Sequence, residues 1–235
     1  MAKKPRLASI KKGLPGFIFG AVFLIVGVWS IVTATGYKIN LQNGAITQTA
    51  AIVLSGSASN VTVKLDGSVV GNKISTLQGI SAGQHNVNIT SPGYQDWQES
   101  FRLDPGEAAL NEHVELFLTA PTILSNQTDN AVLDGIEVVD STLKIVDTEI
   151  YQVESTGNIL ITRFSQPILS ATRSNDQQHI FLQIGKSIYV TELQGENTAK
   201  LIDLSDAAPT PLLPKQNDSQ LVLKNAGVTQ TWQIR

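Results

Sequence analysis

The run from Leu14 to Thr35 constrains this chain more than any other stretch, because its 22 positions carry no Asp, Glu, Lys, Arg or His and lie between Lys12 and Lys38. An α-helix rises about 1.5 Å per residue, so the run extends roughly 33 Å, enough for a hydrocarbon core of about 30 Å. Residues 14–35 are therefore expected to form a transmembrane signal-anchor helix. Lys3, Lys4, Arg6, Lys11 and Lys12 precede it with no acid among them. A basic flank stays on the cytoplasmic side, so residues 1–13 read as a basic cytoplasmic tail. The 200 residues after the run are then expected on the extracytoplasmic face of a cell membrane. Val32-Thr33-Ala34 has the small residues of a cleavage site, but the apolar region exceeds the roughly 7 to 15 residues of a signal-peptide core, which favours retention. Gly16 and Gly20 form a Gly-x-x-x-Gly pair, a spacing that lets two membrane helices approach closely.

Charge narrows the partners. Setting aside the five basic tail residues leaves 12 Lys and Arg against 20 Asp and Glu, a net charge of −8 for the rest. Nucleic acid and anionic lipid surfaces both demand a basic patch, so neither is expected as a ligand. The chain has no cysteine, which removes disulfides, Cys-containing zinc sites and thiol catalysis.

Residues 36–45 are polar and read as a juxtamembrane spacer leading to a first strand. Beyond them the pattern is β: Ile52-Val53-Leu54, Val61 to Leu65, Val87-Asn88-Ile89, Phe101-Arg102-Leu103 and Val114 to Leu118. Short apolar or alternating runs bounded by Gly, Asn, Asp, Ser and Pro are the signature of antiparallel strands joined by turns. Asp66-Gly67 follows an alternating run and predicts a tight hairpin.

Several of these residues carry a resemblance. Lys64-Leu65-Asp66-Gly67, Val70-Gly71, Ile80 to Ile89 with Gly83, Gly93-Tyr94-x-x-Trp97 and Leu103-x-Pro105-Gly106-Glu107 resemble a PEGA domain over residues 46–118. Asn72-Lys73-Ile74 and Ser57-Ala58-Ser59 depart from the family where it often carries proline, both in loops. The resemblance implies a small antiparallel β-sandwich on a prokaryotic surface and no single ligand. In such a core Tyr94 and Trp97 are expected to supply most of the large apolar surface. Residues 119–134, where the composition shifts to Pro, Ser, Asn, Thr and Asp, read as a linker.

Residues 135–235 contain a repeat. Ile150-Tyr151-x-x-Glu154-x-x-Gly157 recurs as Ile188-Tyr189-x-x-Glu192-x-x-Gly195, an offset of 38 residues, and a weaker third copy lies in Gln220 to Leu223 and Thr231 to Ile234. The period is close to the roughly 40 residues of a propeller blade. Ser174 to Phe181, Ile188-Tyr189-Val190 and Gly195-Glu196-Asn197 resemble a blade of TolB-like propellers, departing at Asn175 and Gln177. Closed propellers need about four blades, and two to three fit here. The expected fold is thus mainly β: one transmembrane helix, a PEGA-like sandwich, then an incomplete propeller-like set of antiparallel repeats. Those repeats are expected to stack openly, to collapse into one sandwich, or to close with another chain.

Candidate chemistry is sparse. His85 lies in a turn motif and is expected to be exposed, and His179 flanks a polar turn at a strand start. Strand alternation puts His113 and Glu115 on one face, where a metal site is conceivable but a solvated strand face is the commoner outcome. Walker and dinucleotide motifs are absent from the sequence, which removes their chemistries. Gly79-Ile80-Ser81-Ala82-Gly83 spells Gly-x-Ser-x-Gly but lies in a β pattern with no strand-elbow-helix context to hold a nucleophile. Asp96 with Glu99 and Asp104 with Glu107 could pair as glycosidase acids but fall beside turns, where acids serve solvation and turn hydrogen bonds. Asp176 is expected to cap a turn. Asn60, Asn88, Asn126 and Asn217 head formal glycosylation sequons, whose asparagines turn propensity is expected to explain. No catalytic, cofactor-binding or metal residue is assigned, no cofactor is expected, and ligand-binding residues stay open. The expected function is non-enzymatic: an anchored binding or scaffolding module facing cell-wall polysaccharide or another envelope protein. Alternatives are a sensor or assembly module with a membrane partner, homo-oligomerisation, and, third, a hydrolase.

Overall fold

The computed structural model describes residues 10–34, 36–39, 46–127 and 131–235, with the side chains of 10–15, 33, 34 and 39 not described. Most of the expected basic tail, Thr35, part of the spacer (40–45) and part of the linker (128–130) lie outside the described residues. The first elements are α1 (Ile10–Ala34), β1 (Tyr37–Ile39), β2 (Ile46–Gln48), β3 (Ala50–Gly56), β4 (Thr62–Leu65), β5 (Ser68–Gly71), β6 (Leu77–Ile80), β7 (Gly83–Thr90), β8 (Trp97–Leu103) and β9 (Ala108–Val114). The strands from β3 to β9 form a three-stranded sheet in the order β6-β3-β9 and a four-stranded sheet in the order β5-β4-β7-β8. The Asp66-Gly67 expectation holds: both residues take positive φ, 50° and 80°, as a tight hairpin between β4 and β5 requires.

One compact unit comprises Met1–Val53, Thr76–Gln84 and Arg102–Leu110. Along α1, Phe17, Phe19 and Phe23 are 78%, 81% and 75% exposed. Among the described residues no helix is long and apolar enough to cross a membrane. β1 and β2 form an antiparallel ribbon with Tyr37 opposite Gln48, tied down where the Thr49 amide donates to the Gly36 carbonyl at 2.7 Å. Among the described residues of this unit, Ala50, Ile52, Ile80 and Leu103 are the buried apolar ones.

The second unit comprises Leu54–Ser75, His85–Phe101 and Asn111–Arg235. It adds β10 (Thr122–Gln127), β11 (Leu143–Val146), β12 (Glu149–Glu154), β13 (Gly157–Arg163), β14 (Ile168–Arg173), β15 (His179–Ile184), β16 (Ser187–Glu192), β17 (Ala199–Asp203), β18 (Leu213–Lys215), β19 (Gln220–Asn225) and β20 (Val228–Gln233). Each copy of the repeat is a β meander. The sheets run β11-β12-β13, β14-β15-β16-β17 and β18-β19-β20-β10. The middle sheet is covered on both faces. Leu143, Ile150, Ile168, Ile180 and Leu182 cluster on one side, while Phe117, Phe181, Ile188, Leu221 and Leu223 cluster on the other. All six residues of β15 are accordingly buried. Among the described residues the sheets close no barrel and no propeller ring.

Two expectations fail locally. Residues 119–134 are more than a linker, because Ile123 lies opposite Trp232 where β10 caps the edge of β20. The polar composition that signals a linker also suits an exposed edge strand, which needs few core residues. The run Val114 to Leu118 is not the last strand of its sheet, since β9 ends at Val114. Val114, Leu116 and Phe117 are all buried, so the run is an apolar connection in which alternation no longer sorts inside from outside.

Candidate functional site

The ending of β9 at Val114 decides the fate of the histidine and glutamate that alternation puts together. His113 stays exposed, whereas the side chain of Glu115 is only 15% exposed. It meets Arg235, with which it forms an ion pair, and the turn before β15. That turn is tightly specified. Ser174 exchanges hydrogen bonds with His179 through both backbone and hydroxyl, the His179 amide donating to Oγ at 2.9 Å. The Gln178 amide donates to Asp176 Oδ1 at 2.9 Å, the Asx turn expected of Asp176. Buried Asp218 accepts from the Asn175 and Asp176 amides at 2.8 and 3.3 Å.

The consequence is a cluster. Glu115, Asp176 and His179 each present a ligand-type atom, all within 4.8 Å of one another. His179 begins its strand as expected, but it is 3% exposed with Nδ1 3.5 Å from Asp176 Oδ2 and without a hydrogen-bond partner. The Phe117 ring meets its imidazole edge-on, centroids 5.4 Å apart, and the Arg235 guanidinium lies 5.9 Å from the Phe117 centroid, within cation–π range. Burial pushes the Glu115 carboxyl above its ordinary value despite the Arg235 charge. Burial also penalises Asp176, but the nearby His179 imidazole, with hydrogen bonds from Ser174 and the Gln178 amide, outweighs it and holds this carboxyl well below the usual range.

Beside the cluster lies a cavity of about 20 Å³ whose lining includes Trp97, Glu115, Phe117, His179, Glu192 and Asn197. Trp97 is buried, as expected of a core residue, and its Nε1 donates to Glu192 Oε1 at 2.7 Å. The Asn197 side chain donates to the same oxygen at 2.9 Å and accepts from the Gln98 amide at 2.9 Å.

The first unit has a different feature, an open cleft of about 570 Å³ lined by residues 36–38, 48–51, 78–79 and 106–108. Tyr37, Lys38, Gln48, Thr49, Gln78 and Glu107 give it an aromatic ring, donors and one carboxylate. Its volume is in the roughly 300–1,000 Å³ range of ligand sites.

The remaining candidates disperse. His85 is a strand residue of β7 rather than an exposed turn, with Nδ1 2.7 Å from Asp66 Oδ2. Glu107 accepts from the Asp104 amide at 2.6 Å, the turn role expected of it. Glu99 accepts from Asn111 at 2.6 Å, and burial raises its carboxyl. Asn60 and Asn217 both have positive φ, which accounts for asparagine there, whereas Asn88 lies in β7 and Asn126 in β10, so turn propensity does not explain those two. Sequence reasoning missed Arg235 and Phe117 as partners of this cluster. The apolar signal of Val114 to Leu118 marked burial, but nothing local says what it is buried against.

Comparison with known proteins adds one family. Residues 49–116 match the PEGA domain. No curated protein matches the chain in sequence. Among solved structures it is similar to an auxiliary nutrient binding protein from Bacteroides thetaiotaomicron, at 8% identity and a TM-score of 0.18, over 81% of this chain. It covers 66% of that protein, just under two thirds of its length.

Proposed function

We propose that this is a single-pass membrane protein of a prokaryotic envelope whose β-rich part lies outside the cytoplasm. It works there as a non-catalytic module that holds cell-wall polysaccharide. The observation that carries this reading is the PEGA match at 49–116, directly behind an uncharged run of 22 residues with a basic flank. The described side chains of α1, residues 16–32, fall short of a bilayer by themselves, while the run from Leu14 to Thr35 does not. A helix that is apolar all round belongs in a core or a membrane, and Phe17, Phe19, Phe23 and Ile25 on α1 are each two-thirds exposed or more. The cleft around Tyr37, Lys38, Gln78 and Glu107 suits a neutral, hydroxyl-rich polymer. Such a ligand stacks on one aromatic ring and takes hydrogen bonds from the polar rim.

Two measurements test this. Protease added outside intact spheroplasts should degrade residues after the helix. Full-length protein in detergent should co-sediment with purified cell-wall polysaccharide, and Tyr37→Ala with Gln78→Ala should weaken that binding at least tenfold. Protection from external protease, or sedimentation indifferent to both substitutions, would overturn the reading.

A second reading, assembly with a membrane partner or another copy, is favoured by one observation. The β11-β12-β13 sheet leaves Val146, Val153, Ile159 and Leu160 between 42% and 52% exposed and ends in an edge of β13 that is unpaired among the described residues. Edges of that kind are where chains associate. Light scattering of the full-length protein at several concentrations separates monomer from defined oligomer.

A further inference from the structure

We propose that Glu115, Asp176 and His179 form a binding site for a divalent transition metal of the zinc type. One imidazole nitrogen and two carboxylates, all within 4.8 Å of one another, match the donor set zinc accepts, with His nitrogen and carboxylate oxygen each bound at about 2.0–2.2 Å. A nitrogen donor in the set disfavours calcium and magnesium, which take oxygen.

An acidic pair alone would say little. The independent observation is His179, whose side chain is 3% exposed and whose Nδ1 faces the two carboxylates without a hydrogen-bond partner. A buried polar nitrogen left unpaired costs free energy, and a metal ion at this position would satisfy it. Charge agrees: two ionised carboxylates exceed the single positive charge of Arg235. A carboxylate has two oxygens, so Glu115 can keep Arg235 on one and offer the other. The ligands are also braced, Asp176 by Ser174 and Gln178 and Glu115 by Arg235, as supporting contacts brace ligands in metal sites. The adjoining cavity of about 20 Å³ has room for one water, which needs about 10–15 Å³, so a fourth ligand can come from solvent. Asp176, 27% exposed, gives the ion its way in.

The site is independent of polysaccharide binding, and either can fail alone. Full-length protein in detergent, dialysed against micromolar zinc, should retain one zinc per chain by elemental analysis. Cobalt in its place should give the intense visible bands of a low-coordinate site. Asp176→Asn and Glu115→Gln should each weaken zinc binding at least tenfold, and His179→Gln should abolish the cobalt bands. His113→Ala, which changes the exposed neighbour only, should leave both unchanged. If His179→Gln does not fold by circular dichroism, the partly exposed Asp176→Asn carries the test. No retained zinc, or retention that survives Asp176→Asn and Glu115→Gln, would overturn the proposal.

Discussion

The β11-β12-β13 sheet and the β14-β15-β16-β17 sheet carry the same signature, yet its residues do different things in each. Ile150 and Ile188 are both fully buried, so the isoleucine means core in either copy. The glutamates diverge. Glu154 is exposed and bonds only a neighbour on its own strand, Gln152 at 3.0 Å, whereas Glu192 is buried and holds the indole of Trp97. The glycines diverge too. A Cβ on Gly157 would meet nothing within 4 Å, but one on Gly195 would lie 2.6 Å from the Ile161 carbonyl and 2.9 Å from Thr162 Cβ. A repeat therefore encodes a meander and its inward residues, while place in the stack decides which outward residues are enclosed.

The largest break in that equivalence is expected at the glycines. Gly195→Ala combines a clash with backbone and a positive φ of 84°, and should destabilise the protein by about 3 kcal/mol. Gly157→Ala, with strained φ but open space, should cost about 1 kcal/mol. Urea unfolding of the pair measures the difference, and equal costs would deny that stacking sets it.

The glutamates come next. Glu192→Ala leaves the buried Trp97 Nε1 without its acceptor and should cost about 2 kcal/mol. Glu154→Ala should stay within about 0.5 kcal/mol. Thermal melts of both variants check this, and Trp97 fluorescence should shift only in the first.

Acid separates the turns that lead into the two sheets. Asp140 before β11 and Asp176 before β15 each accept from the amide two residues on, at 2.8 and 2.9 Å, and both carboxyls lie below their ordinary 3.8. Each also accepts from a hydroxyl, Thr142 or Ser174, and Asp176 is held lower because the His179 imidazole lies beside it as well. With the folded value depressed, the unfolded chain takes up protons first as pH falls. The stabilisation is thus complete above about pH 4 and fades below it. Asp176→Asn should flatten the pH dependence of unfolding between about pH 4 and 2 more than Asp140→Asn does. An unchanged slope would mean that the His179 contact adds nothing.

The smallest effect sharpens the comparison from the other side. Ile159→Thr with Leu160→Thr on β13 should change stability by no more than about 0.5 kcal/mol, because both side chains are about half exposed. The mass from light scattering should fall if that edge is where copies meet.

Much of the fold was legible because it is written in short range. The Asp66-Gly67 hairpin, the 38-residue repeat and most strands rest on turn chemistry and alternation, which neighbours in sequence impose. The candidate metal cluster is half legible: Glu115, Asp176 and His179 each stand out singly, but alternation pairs Glu115 with His113 because it assumes that the strand continues.

Sequence by itself determined the apolar run, the acidic balance of the residues C-terminal to it, the absence of thiol chemistry and the β meanders. Each of these depends on composition or on residues a few positions apart. Only the tertiary structure decided that β10 caps the last sheet, that β15 is enclosed on both faces and that Arg235 meets Glu115. It also decided that His179, not His113, shares the cluster with that glutamate. These are contacts across tens to more than a hundred residues, and their partners are set by how sheets stack, which no local pattern records.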